Sequence, residues 1–320
     1  MALAILAVLV GFGVLMWSAD RFVDNAAATA KIAGMPPLLI GMLVVGFGTS
    51  APEIVVSVMA ALDGNPQLAL GNALGSNIVN IGLILGLTAI ISPIAVQSNI
   101  VRKELPILLL VSVGVGIVVK DSALLRIESL ALLAGFVMLI VWSIYAGLKS
   151  KDQPLEQDIE QGLANSELKL SKTIVGLAVG LVFLILSSRL LVWGAVAIAQ
   201  QLGVSDLIIG LTIVAIGTSL PELAASIIAA RRGEHDIALG NIVGSNLFNS
   251  LAVVGIAGTI APVANLHTEL FARDWLTMTV LTSMLFIMAI GIKHQGRISR
   301  GEGIVLISTY IGYNLWLFTS

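Results

Sequence analysis

The chain has 320 residues, 17 of them Lys or Arg and 19 Asp or Glu, for a formal net charge of −2. Charged residues make up 11 % against roughly 25 % in a soluble domain; hydrophobic ones reach 57 %, and the mean hydropathy is +1.01. These figures exclude a soluble globular protein, a disordered chain and a secreted disulfide scaffold. The lack of cysteine excludes a thiolate metal site or thiol nucleophile, and the near-neutral charge gives no basic footprint for nucleic acid.

A helix that crosses the hydrocarbon needs about 20 mostly apolar residues. In chain order, ten such segments are predicted over 3–19, 38–62, 68–93, 105–119, 123–148, 173–199, 206–230, 237–262, 273–292 and 302–319. Stretches 68–101, 237–266 and 275–292 hold no Asp, Glu, Lys or Arg. The opening MALAILAVLVGFGVLMW lacks a basic n-region and reads as a retained span, not a removable signal peptide. Thirteen of the 17 basic residues fall on odd-numbered connections and the span edges beside them, among them Arg21, Arg102, Arg231, Arg232 and Arg297; Lys120, Arg126, Arg189 and Arg273 fall on the other side. Basic residues stay in the cytoplasm. The expected orientation therefore has both termini outside. The polar stretch 149–172 is a solvated cytoplasmic connector between a first half, 1–148, and a second, 173–320.

An internal repeat underlies the two halves. Shifted by 169 residues, 41–93 aligns without a gap on 210–262, with 22 of 53 positions identical. Both copies hold GTS-x-PE and ALGN-x-x-GSN-x-x-N. Five spans per half make the second enter the bilayer from the opposite side, so the expected fold is all-α, with ten transmembrane helices in two inverted five-helix repeats. That is a transporter signature, with the site at the midplane between the repeats.

Glu53 and Glu222 are the only acidic residues deep inside the predicted spans. A carboxylate there costs several kcal/mol unless it meets protein, water or a cation. Thr49 and Ser50 precede Glu53 by four and three residues and share its helix face, as do Thr218 and Ser219 with Glu222. Pro52 and Pro221 should break their helices at the carbonyls of Gly48 and Gly217, freeing backbone oxygens for ions. Asn72, Ser76 and Asn80 fall on one face, and so do Asn241, Ser245 and Asn249; Asn77 and Asn246 point elsewhere, either lining the site or bracing helices. Gly71, Gly75, Gly240 and Gly244 form small-xxx-small patterns for close helix approach. The set is all oxygen, with His235, His267 and His294 read as loop residues. Such a site suits a hard cation, and two carboxylates balance one Ca²⁺ or two or more Na⁺.

GTSAPE with GNALGSNIVN, and GTSLPE with GNIVGSNLFN, resemble the two α-repeats of the sodium/calcium exchanger family, within the cation/calcium antiporter superfamily. Span count and short connector are similar to its bacterial calcium/sodium antiporter branch. The resemblance implies exchange of Na⁺ for Ca²⁺ by alternating access, function as a monomer in the lipid bilayer of a prokaryotic inner (plasma) membrane, and no resident cofactor. It also implies a ligand set of Thr49, Ser50, Glu53, Ser76 and Asn80 with Thr218, Ser219, Glu222, Ser245 and Asn249, joined by the backbone carbonyls of Gly46 and Ala215. Spans one and six would slide across the core; Asp20, Arg21 and Arg189 are read chiefly as interfacial anchors. Some relatives carry Asp where this chain has Asn249, which leaves a proton- or potassium-dependent calcium antiporter of the same fold as the alternative. A hydrolase using Thr49 or Ser50 with Glu53 lacks an in-span His or second acid–base partner, so an enzyme is not expected.

Overall fold

The structure, a computed structural model, describes residues 1–97, 100–149, 170–203, 215–290 and 296–319. Helix α1 spans Ala2–Ala33, α2 Pro37–Thr49, α3 Ala51–Leu62 and α4 Pro66–Ile91. Strand β1 (Ile94–Ala95) leads to α5 (Leu105–Val119) and α6 (Arg126–Lys149). In the second half, α7 is Leu170–Gln201, α8 Ala215–Thr218, α9 Leu220–Arg231, α10 His235–Ile260 and α11 Leu270–Ile290. Strand β2 (Arg297–Ile298) precedes α12 (Arg300–Thr319). Among the described residues six helices are long and apolar enough to cross a membrane, or seven with the bent α2–α3 pair taken as one span. Part of the seventh predicted span, 206–214, and the connector 150–169 lie outside the described residues.

Several predicted boundaries are corrected. The first helix does not end near residue 19 but runs to Ala33, where Gly34 takes a left-handed conformation (φ 61°) and closes it. Its charges do not stop it, because DNAAATAKIA is alanine-rich and helix-prone. Helix α7 likewise begins at Leu170, inside the stretch read as connector. His235 is the first residue of α10, not a loop residue, and His294 lies outside the described residues.

Helix α10 is the centre of the molecule, buried along its whole spanning length. Glycine makes this possible. A Cβ on Gly240 would lie 2.6 Å from the Leu38 carbonyl oxygen, and one on Gly244 2.5 Å from that of Met42. The backbones of α2 and α10 are thus in direct contact, which suits association in lipid, where packing and not hydrophobicity draws helices together. Helices α1 and α7 form a second close pair: Gly11 sits on the Leu191 backbone, Gly180 on Phe22 and Gly194 on the Ala4 carbonyl. Their outer faces expose Leu3, Leu9, Phe12, Val175 and Trp193, as lipid-facing surfaces do.

Two short pairings tie the halves together. Ile94 and Ala95 pair antiparallel with Ile298 and Arg297, and Leu124 bridges Val263. Ile94 and Val263 are repeat equivalents, 169 positions apart, each following its half's third predicted span. Each meets the residues just before the last helix of the other half. π-helical turns also recur, at Val79–Leu85 in α4 and Asn249–Val253 in α10, and at Ile100–Glu104 and Leu270–Trp275. Such turns re-aim side chains within a continuous helix and gather at functional sites.

Candidate functional site

The GTS-x-PE motifs form the helix breaks. Helix α2 stops at Thr49, Ser50 leaves helical geometry (φ −81°, ψ 4°), and α3 departs at 47°. Ser219 does the same between α8 and α9 (φ −95°, ψ 10°). Pro52 and Pro221 sit in the first turn of the outgoing helix, where a missing N–H costs nothing. Each Glu is in that first turn too, near the positive end of the helix dipole.

Ser-x-Pro-Glu reads locally as a capping box, in which Ser and Glu would close on each other's backbone. Neither serine makes a side-chain cap bond. Instead the Ser50 hydroxyl donates to Glu222 Oε1 at 3.1 Å and the Ser219 hydroxyl donates to Glu53 Oε1 at 3.4 Å. The local face shared by Ser50 and Glu53 is therefore used across the repeats. Glu53 and Glu222 are each 1 % exposed.

Helices α4 and α10 brace this centre in matched fashion. Asn72 Nδ2 donates to the Glu53 carbonyl at 3.2 Å and to Ser57 Oγ at 2.9 Å; Asn241 Nδ2 donates to the Glu222 carbonyl at 3.2 Å and to Ser226 Oγ at 2.9 Å. Both asparagines thus spend their amide nitrogens on the backbone of the glutamates. The Thr49 hydroxyl, with one proton to give, lies within donating distance of the Val45 carbonyl at 3.0 Å and Asn241 Oδ1 at 3.1 Å, and Ser245 donates to the Gly46 carbonyl at 3.2 Å. Ser76 is buried on α4 and Thr218 half-buried on α8. Ala215 opens α8, and the Ser219 amide bonds the next carbonyl, that of Ile216, at 3.1 Å.

One expected source of free backbone oxygen is corrected. The Gly217 carbonyl, released by Pro221, accepts the Ser188 hydroxyl of α7 at 2.9 Å. The proline break supplies an attachment point for a neighbouring helix there.

Several acceptors of the expected ligand side chains remain open. Glu53 Oε2, Glu222 Oε2, Asn80 Oδ1 and Asn249 Oδ1 are buried and accept no hydrogen bond. A buried polar atom left so costs about 1–3 kcal/mol, and more when charged. Such oxygens are what a hard cation would satisfy. Among the described residues no three His, Cys, Asp or Glu side chains cluster, so a cation held here would rest largely on neutral oxygens around two carboxylates.

Sequence reading missed two further features. Asp20 and Asp24 of α1 both pair with Arg232, at the end of α9; the Asp20 contact is 2.6 Å. Asp20 is therefore an interhelical ion pair and not a simple interfacial anchor. Asp274 is 9 % exposed in α11, held by Arg273 at 2.7 Å and by the Tyr313 hydroxyl at 3.0 Å. The helical reach of Asp20 and Asp24, four residues apart, was the available signal for the first; the second had none, since Asp274 sits at the edge of its predicted span.

Apolar spanning helices, a doubled motif and two buried carboxylates amid open oxygens define a membrane cation antiporter. Residues 3–150 and 172–319 both match the family model described as sodium/calcium exchanger protein, and the chain belongs to that family. It is 46 % identical over 321 residues to CaxA of Alkalimonas amylolytica, covering all of both chains. It is 38 % identical to the inner membrane protein YrbG of Escherichia coli, over 99 % of this chain and 96 % of that one. Among solved structures it resembles the sodium-calcium exchanger NCX_Mj soaked without Na⁺ and Ca²⁺, with a TM-score of 0.84, 30 % identity and 99 % of each chain covered.

Proposed function

We propose that this protein exchanges Na⁺ for Ca²⁺ across a prokaryotic inner membrane, exporting Ca²⁺, and that it works as a monomer by alternating access. The observation that carries the reading is the group of four buried, unpartnered acceptors on Glu53, Glu222, Asn80 and Asn249. The ligand set is Thr49, Ser50, Glu53, Ser76, Asn80, Thr218, Ser219, Glu222, Ser245 and Asn249, with the carbonyls of Gly46 and Ala215. Ten spans form two inverted halves, 1–148 and 173–320, joined by a cytoplasmic connector at 149–172, with both termini outside. The crossed pairings of Ile94 with Ile298 and Leu124 with Val263 support that symmetry, and the match to an inner membrane protein supports the location.

Coupling follows from charge. With no ion bound, two carboxylates carry −2 in a region shielded from water, and rearrangement of that site is strongly disfavoured. One Ca²⁺, or two or more Na⁺, cancels the charge and lets the site cross. The α1–α7 pair is the moving body: it packs mainly on itself, and its polar ties to the rest include the Arg232 ion pairs and the Ser188–Gly217 bond. Proteoliposomes loaded with Na⁺ test this. An outward Na⁺ gradient should drive ⁴⁵Ca²⁺ uptake with protonophore present; uptake that requires a pH gradient would assign proton coupling instead, and fast Ca²⁺ flux without a counter-ion would refute exchange.

A further inference from the structure

We infer that Asn246 is a positioning residue: by accepting the amide N–H of Asn80, it keeps the oxygen end of that amide free to face the ion. This rests on the ligand set proposed above. Asn80 and Asn246 are each 1 % exposed, and Asn80 Nδ2 donates to Asn246 Oδ1 at 3.0 Å, across from α4 to α10. The bond leaves Asn80 Oδ1 without a partner, available to a cation.

An amide side chain has two ends of nearly equal shape and opposite polarity. A cation site tolerates one of them. An N–H₂ turned toward the ion would withdraw a ligand and add a repelling dipole, so something must hold the rotation. Turning Asn80 alone would set its oxygen against Asn246 Oδ1 and leave the contact repulsive. The two amides therefore turn together or not at all. Asn246 Nδ2 is buried and unpartnered, so a joint turn is opposed by the ion, which would then face an N–H₂, while a turn of Asn80 alone is opposed by Asn246.

The second half lacks this arrangement. By repeat position Asn77 corresponds to Asn246 and Asn249 to Asn80. Asn77 Nδ2 is spent on Ser250 Oγ at 2.8 Å and Met278 Sδ at 3.3 Å, and both amide atoms of Asn249 are unpartnered. The cause is in the sequence: Ser250 stands where the first half has Ile81, and its hydroxyl captures Asn77. The orientation of the ligand amide is thus built in on one side only.

Equilibrium ⁴⁵Ca²⁺ binding to the purified full chain in Na⁺-free buffer tests the inference by a double-mutant cycle. Asn246→Ala should weaken binding about tenfold, the scale of leaving one buried amide donor unsatisfied. In an Asn80→Asp background both ends of the side chain are oxygen, so orientation ceases to matter. There Asn246→Ala should change binding less than about twofold. Native binding by Asn246→Ala, or an equal loss in both backgrounds, overturns the inference and leaves a packing role. If Asn246→Ala does not fold, Asn246→Asp decides: it keeps an oxygen for the Asn80 amide and should bind no more weakly than the native chain, whereas a tenfold loss refutes the claim. Asn80→Ala separates the two levels: native binding there would sink the ligand set itself, while loss there with native binding by Asn246→Ala would sink only the positioning role.

Discussion

Replacing Gly244 by Ala should damage ion binding although the residue carries no ligand. The added Cβ would fall 2.5 Å from the Met42 carbonyl oxygen, 2.7 Å from its Cα and 3.0 Å from its carbonyl carbon. All three are backbone atoms, so no side-chain rotation relieves the overlap. Restoring ordinary contact requires α2 and α10 to separate by about 1 Å, and overpacking of this kind costs about 1–3 kcal/mol. The displacement acts where it matters: Ser245, the next residue, donates to the Gly46 carbonyl at 3.2 Å, and a further ångström breaks that bond. Thr49 and Ser50 lie at the end of the displaced helix. With about 1.4 kcal/mol of that strain expressed only in the bound state, half-saturating Ca²⁺ should rise about tenfold, read by ⁴⁵Ca²⁺ binding to purified protein. Gly13→Ala is the control, since its Cβ would meet no described atom within 4 Å. Native Ca²⁺ affinity in Gly244→Ala would refute the claim that backbone contact between these helices sets the site.

Ser50→Ala and Ser219→Ala, each of which removes a hydroxyl from the other repeat's carboxylate, should each weaken Ca²⁺ binding by about tenfold; native affinity in a titration of either variant would contradict the cross-repeat bonds. Tyr313→Phe removes a hydroxyl from Asp274 and should cost about 1–2 kcal/mol, seen as a lower melting temperature with unchanged Ca²⁺ affinity. Arg232→Ala breaks two partly exposed ion pairs, so its stability cost should stay below about 1 kcal/mol and shrink as salt is added; a larger, salt-independent loss would mean a buried role. Chelating Ca²⁺ in Na⁺-free buffer should lower the melting temperature, since ligand at a hundred times Kd stabilises by about 2.7 kcal/mol.

The doubled GTS-x-PE and GSN motifs, the helix breaks and both glutamates were legible because each breaks a local rule: a charge or proline inside an apolar span demands a reason. Long-range partners were not legible. Ser50 and Glu53 share a helical face, yet the hydroxyl serves Glu222, and only the packing of two halves decides that. Pro221 points to a Gly217 carbonyl open to ions, but its capture by Ser188 depends on how α7 lies against α8. Asp20 and Asp24, on the stretch of α1 beyond its expected end, find Arg232 some 200 positions away. Even between repeats that share these motifs, one change from Ile81 to Ser250 redirects an asparagine, a difference that motif matching passes over.

The central claim is that Glu53 and Glu222 together hold the transported ion. Glutamine at either position keeps shape and hydrogen bonding while removing one negative charge. In reconstituted vesicles with an imposed Na⁺ gradient, Glu53→Gln and Glu222→Gln should each abolish Na⁺-dependent ⁴⁵Ca²⁺ exchange while the protein remains folded; full exchange by either variant would contradict it.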